Sequence, residues 1–170
     1  MFLDYSNLDI LSGDHAFDCV YMDAFPVTVR EACVMLSEKD CNVFNLIDQF
    51  FCSHIFRRLN CGTSPIILNL SAKQLVRDFY LDDNPIEIPY SSKEEKEDVE
   101  WIDEDVIRWA GEHLAFLFWR YNPKMNDFIK VLSFKDVCDR FYPLHECGTI
   151  AAVRKLWAKY ANTRGLPVYD

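Results

Sequence analysis

The chain has 170 residues, of which 50% are hydrophobic, 26% charged and 15% aromatic. That length, with 13 Phe, 8 Tyr and 4 Trp but only 5 Gly and 7 Pro, is enough for one buried core and excludes disordered, collagen-like and low-complexity chains. Eighteen Lys and Arg against 27 Asp and Glu give a formal charge of −9, so the overall field repels phosphate backbones and anionic membranes.

In chain order, residues 2–21 carry no clean helical or strand period. After Pro26, Thr28 is expected to cap a helix reaching about Lys39, with Val29, Ala32, Cys33 and Leu36 on one face. Residues 41–59 predict one continuous helix: Val43, Phe44, Ile47, Phe50, Phe51, Ile55, Phe56 and Leu59 form a wide apolar stripe. Arg57 and Arg58 suit its negative end, and Asn60-Cys61-Gly62 stops it. Residues 64–70 suit a buried extended segment leading to Ser71, the expected cap of a helix over 72–80. Residues 81–92, with Pro85 and Pro89, predict the main loop.

Residues 93–105 hold eight acids and two lysines. They form either the first turns of a long helix to about Tyr121 or a separate piece, with Asp103 capping a second helix after a break. Val106, Ile107, Ala110, Leu114, Leu117, Phe118 and Tyr121 share one broad face, and Asn122-Pro123 ends it. Ser133 is expected to cap a helix through Phe134, Val137, Cys138 and Phe141 that finishes before Pro143. A last helix runs from Thr149 to about Asn162, with Trp157 and Tyr160 on its core stripe. The expected fold is therefore all-α: a compact bundle of about five to seven helices with one Pro-containing central loop. It forms a single helical domain over 1–170, or two packed halves meeting at the 81–92 loop.

Charge is unevenly divided. Residues 1–119 carry 9 basic and 22 acidic side chains, whereas 120–170 carry 9 and 5, so the first part of the chain would attract a basic surface. Seven cysteines, at 19, 33, 41, 52, 61, 138 and 147, include no CxxC, and their odd number and wide spacing predict reduced thiols. No basic n-region and apolar h-region open the chain, and the apolar run 114–119 is too short to span a bilayer. The expectation is a soluble cytoplasmic protein with no membrane partner.

Cys52 with His54, and His145 with Cys147, bring sulfur and imidazole close in sequence, as a nucleophile or metal site requires. Positions i and i+2 of a helix diverge, so Cys52 is read as structural and His54 as half-exposed. The acids Asp98, Glu100, Asp103, Glu104 and Asp105 are contiguous, as on a solvated or partner-binding face, whereas glycosidase pairs face each other across a cleft. Phosphate-loop, dinucleotide, zinc-protease and hydrolase signatures do not occur. No catalytic residue, metal ligand or cofactor is assigned. Arg154, Lys155, Lys159 and Arg164 give the last helix a basic face, a partial nucleic-acid signature.

Trp109-Ala110-Gly111, Phe118-Trp119-Arg120-Tyr121 and Phe141-Tyr142-Pro143-Leu144-His145-Glu146, followed by Ala151-Ala152-Val153, together resemble the C-terminal half of a loosely defined bacterial family. Its members are small, acidic and helical, and some are encoded beside ADP-ribosyltransferase-like toxins. Where that family places another aromatic after its R-Y step, this chain has Asn122-Pro123.

The resemblance implies a non-enzymatic antitoxin or immunity-type protein that neutralises a toxin. Charge and aromatic clustering nominate Trp101, Asp103, Glu104, Asp105, Arg120 and Tyr121 as its partner-binding residues, with a basic toxin as partner. Two alternatives stand beside it. One is a small enzyme using Cys138, His145 and Glu146; the other is a toxin–antitoxin regulator touching DNA through its basic final helix.

Overall fold

The computed structural model describes residues 24–38, 42–60, 70–82 and 102–168. Among them are nine helices and no strand, so the chain folds as an all-α bundle. The expectations for residues 2–21, the 64–69 segment, the 83–92 loop and the acids of 93–101 lie outside the described residues.

Helix α1 spans Ala24–Ser37 and starts before Thr28, with Pro26 inside its first turn. The first amides of a helix have no internal acceptor, so proline loses nothing there. Its buried stripe includes the expected Val29, Ala32, Cys33 and Leu36.

The single helix expected over 41–59 is instead two, α2 (Val43–Cys52) and α3 (His54–Asn60). Between them Ser53 is buried and extended. Its Oγ donates to the Phe50 carbonyl at 2.6 Å and accepts from the Phe56 N–H at 3.1 Å, so one hydroxyl ends α2 and begins α3. A serine hydroxyl that competes for backbone partners can break a helix that periodicity alone would continue. The break leaves Ile55, Phe56 and Leu59 buried along with Phe50 and Phe51.

Helix α4, Ala72–Asp82, opens on a reciprocal cap: the Gln74 N–H reaches Ser71 Oγ at 3.3 Å, and the Ser71 N–H reaches Gln74 Oε1 at 2.9 Å. It extends two residues beyond Tyr80, so Leu81 and Asp82 belong to helix and not to loop. Leu75, Val76 and Phe79 are its buried face.

Helix α5, Glu104–Tyr121, is the axis of the bundle, packing against α1, α3 and all three of the last helices. Every residue from His113 to Phe118 is buried, as befits a helix surrounded by others. Asp103 caps it through the Asp105 N–H at 3.0 Å, and Asn122 ends it in the left-handed region at φ 41°.

The next helix, α6 (Met125–Val131), was not anticipated; it buries Met125 and Phe128. Ser133 and Asp136 form the cap of α7, Phe134–Cys138. The helix expected through Phe141 breaks there, and α8 (Phe141–Leu144) comes next with Pro143 inside its first turn, where no amide is needed. Helix α9, Thr149–Arg164, buries Trp157 and Tyr160 as expected. Gly165, at φ 64°, closes α9, and the Leu166 N–H returns to the Ala161 carbonyl at 2.9 Å.

An aromatic chain knits these helices. Phe51 meets Phe56 at 4.9 Å and Phe118 at 5.4 Å; Phe118 meets Phe128 at 5.0 Å, and Phe128 meets Tyr160 at 4.9 Å. Tilted and edge-on pairs of this kind add about 0.5–1.5 kcal/mol each beyond area burial.

At one seam a carboxylate replaces an aromatic: the Phe134 N–H at the start of α7 donates to Asp48 Oδ1 of α2 at 2.7 Å. Burial pushes the Asp48 carboxyl up to about 7; the hydrogen bond opposes this and nearby Asp136 reinforces it. The folded form therefore holds a proton that the unfolded chain releases near pH 4. The stability this group contributes is complete below that pH and is lost as pH rises towards 7. Asp48→Asn keeps an oxygen for the Phe134 N–H without the charge. It is expected to raise stability at pH 8 by on the order of 1–3 kcal/mol and to flatten the pH dependence of denaturant midpoints between 4 and 8. A loss of stability at pH 8 would show that the charged carboxylate is preferred at this seam.

Candidate functional site

The two ends of α5 carry most of the residues nominated for binding. At its N-terminus Asp103, Glu104 and Asp105 are all exposed. Glu104 is tied to Arg108 one turn on, at 2.9 Å from Nε and 2.5 Å from Nη2. Arg108 also pairs with Glu31 of α1, Glu31 lies 3.2 Å from Arg30, and Arg30 reaches Glu112 at 3.0 Å. The result is a ladder of alternating charge across the α1–α5 seam. The Arg108 guanidinium beside Glu31, with Arg30 on its other side, holds that carboxyl below its usual range. Asp103 caps the helix and Asp105 faces solvent, so the charge of the acidic end is only partly neutralised internally.

Arg120 and Tyr121 stand at the other end, about 25 Å away along the axis at 1.5 Å per residue. They and the acids do not form one surface. The Tyr121 ring lies parallel to Trp157 of α9, centroids 4.3 Å apart, and the Arg120 guanidinium sits 5.4 Å from the Tyr121 ring centre. Both residues are half-buried, and Tyr121 fastens α5 to α9. Trp101, the remaining nominee, lies outside the described residues.

The thiol–imidazole pairs have no shared geometry. Cys52 and His54 fall on opposite sides of the Ser53 break; Cys52 is half-buried and His54 exposed, and burial pushes the Cys52 thiol up to about 11. Cys138 is buried and its thiol is pushed well above the ordinary value, chiefly by desolvation. His145 is exposed; its Nδ1 lies 2.8 Å from the Tyr142 carbonyl and 3.1 Å from that of Phe141, and its ring stacks on Phe141 at 4.7 Å. Glu146 is exposed too. Among the described residues no three His, Cys, Asp or Glu side chains are grouped to hold a metal.

On α9, Arg154, Lys155 and Lys159 are exposed, but Trp157 and Tyr160 are buried and cannot stack on bases. Arg164 is engaged by Asp127 at 3.5 Å. No described helix is long and apolar enough to cross a membrane.

Sequence reasoning missed a cleft of about 530 Å³ at the turn between α5 and α6. Arg57, Lys124 and Lys130 line it with Asn122, Asn126 and Met125. Arg57 had a sufficient local explanation as a helix-end cation, and it comes from a different segment of chain from Lys124 and Lys130, which lie at the two ends of α6. Compared with known protein families, characterised proteins and solved structures, the chain gives no match.

The burial of Cys33 and Cys138, with thiols held protonated at neutral pH, has a direct readout. Iodoacetamide at pH 7.5 is expected to leave both unlabelled in the native protein and to label both after unfolding in guanidinium, as read by peptide mass spectrometry. Rapid native labelling of Cys138 that His145→Ala abolishes would instead mark an activated nucleophile.

Proposed function

We propose that this protein acts by binding another protein through the acidic end of α5, as an antitoxin or immunity-type partner that neutralises a basic toxin. The observation that carries the reading is the exposed row Asp103, Glu104 and Asp105, braced by the Glu104–Arg108–Glu31 ladder. Side chains already held in place lose less entropy on binding, and a fixed patch of one sign steers a partner of the other. A chain carrying 22 acidic and 9 basic side chains before residue 120 extends that field.

The toxin-directed form of the reading draws on the resemblance. Several of the residues that carry it pack the bundle: Gly111 lies against α1, Trp109 meets Phe141 edge-on at 5.6 Å, and Tyr121 stacks on Trp157. In this chain they serve as scaffold, while the acidic end supplies the surface. A Cys-centred reaction has less support, because Cys138 is buried with a raised thiol and makes no hydrogen bond to His145.

The test pairs the wild type with an Asp103→Lys, Asp105→Lys variant, which spares the Glu104–Arg108 pair. Pull-down from native extract at low salt is expected to recover a stoichiometric basic protein that dissociates as salt rises. With that partner purified, the variant is expected to associate at least about tenfold more slowly at low salt. Unchanged rate and affinity, or no stoichiometric partner for the wild type, would refute the reading.

A further inference from the structure

At the α5–α6 turn three cations, Arg57, Lys124 and Lys130, and one carboxylate, Asp127, line one cleft in a chain of net charge −9. Arg57 comes from α3, Lys124 from the turn after α5, and Lys130 from the last turn of α6. None of the three has an ion-pair partner among the described residues, whereas seven other pairs are formed there. The carboxylate in the lining, Asp127, is already engaged by Arg164. Like charges that converge on one space repel each other, and a bound anion relieves that repulsion.

We propose that this cleft binds the phosphate group of a small organic phosphate. A phosphate carries up to two charges and several acceptor oxygens, which suits an Arg fork and two Lys ammonium groups better than a single carboxylate does. The Asn122 and Asn126 amides add neutral donors, and Pro123 with Met125 gives the carbon part of a ligand an apolar wall. A volume of about 530 Å³ falls within the range of small-molecule sites. A long polyanion would extend out of the cleft over the acidic remainder of the chain and be repelled by it, whereas one short anion meets chiefly the field of the three nearby cations. This site lies at the opposite end of α5 from the acidic row and is independent of the protein-binding reading.

Titration calorimetry with ADP and with inorganic pyrophosphate at low ionic strength, alongside amide chemical-shift mapping, tests the assignment. One-to-one binding is expected in the micromolar to about millimolar range, with shifts confined to residues near 57 and 122–130, and none with adenosine. Lys124→Gln with Lys130→Gln, and separately Arg57→Gln, are expected to weaken ADP binding at least about tenfold. All three side chains are exposed, so these variants should keep the wild-type circular dichroism and melting profile. Failure of both probes to bind the wild type, or binding that the folded variants retain, would overturn the proposal. Tighter binding of a short oligothymidylate than of ADP would also overturn it, in favour of a nucleic-acid backbone as the source of the phosphate.

Discussion

The fold depends on how closely α1 and α5 cross. At the crossing Gly111 faces Arg30 and Cys33: a Cβ built on Gly111 would stand 3.0 Å from Cys33 Sγ and 3.1 Å from the Arg30 Cα. A glycine permits this approach because it leaves room where any side chain would push the helices apart. Alanines at 32 and 110, both fully buried, keep the neighbouring turns thin as well. The two ion pairs that join the helices, Arg30 with Glu112 and Arg108 with Glu31, bridge the same seam. Each is half-exposed and worth little alone.

With α1 locked on one side, α5 can serve as the axis for the remaining helices. Phe118 contacts Phe51, Phe56 and Phe128, and its carbonyl accepts from the Asn60 amide at 3.3 Å, so the aromatic core and the end of α3 are both referred to this helix. Its two ends then face solvent with opposite character. The acidic row projects from one, and the turn through Asn122 shapes the basic cleft at the other.

Much of this was legible in sequence where a local rule decides the outcome. The α1 stripe, the caps at Ser71 and Ser133, the Asp103 cap as one of two alternatives, the stop at Asn122-Pro123 and the buried faces of Trp157 and Tyr160 all come from periodicity and capping chemistry. The Ser53 break was not legible, because apolar spacing continues through it and only the buried hydroxyl redirects the chain. Helix α6 was hidden by its shortness and by the polar turn before it. For the sites, the acidic row was visible as a run of charge. The cleft was not, since Arg57 reaches Lys124 and Lys130 only through the tertiary fold, and no linear pattern joins them. Grouping Arg120 and Tyr121 with the acids overlooked the length of the helix between them.

The close crossing is tested most directly by the stability of Gly111→Ala. In a helix without close neighbours this exchange stabilises by about 1 kcal/mol, because alanine is the better helix former. Here the added methyl needs Cys33 and the Arg30 backbone to give by a few tenths of an ångström, and overpacking of that kind costs about 1–3 kcal/mol. The crossing therefore predicts a lower denaturant midpoint for the variant, only partly restored by adding Cys33→Ala, since the Arg30 backbone remains in the way. A Gly111→Ala protein more stable than the wild type would contradict it.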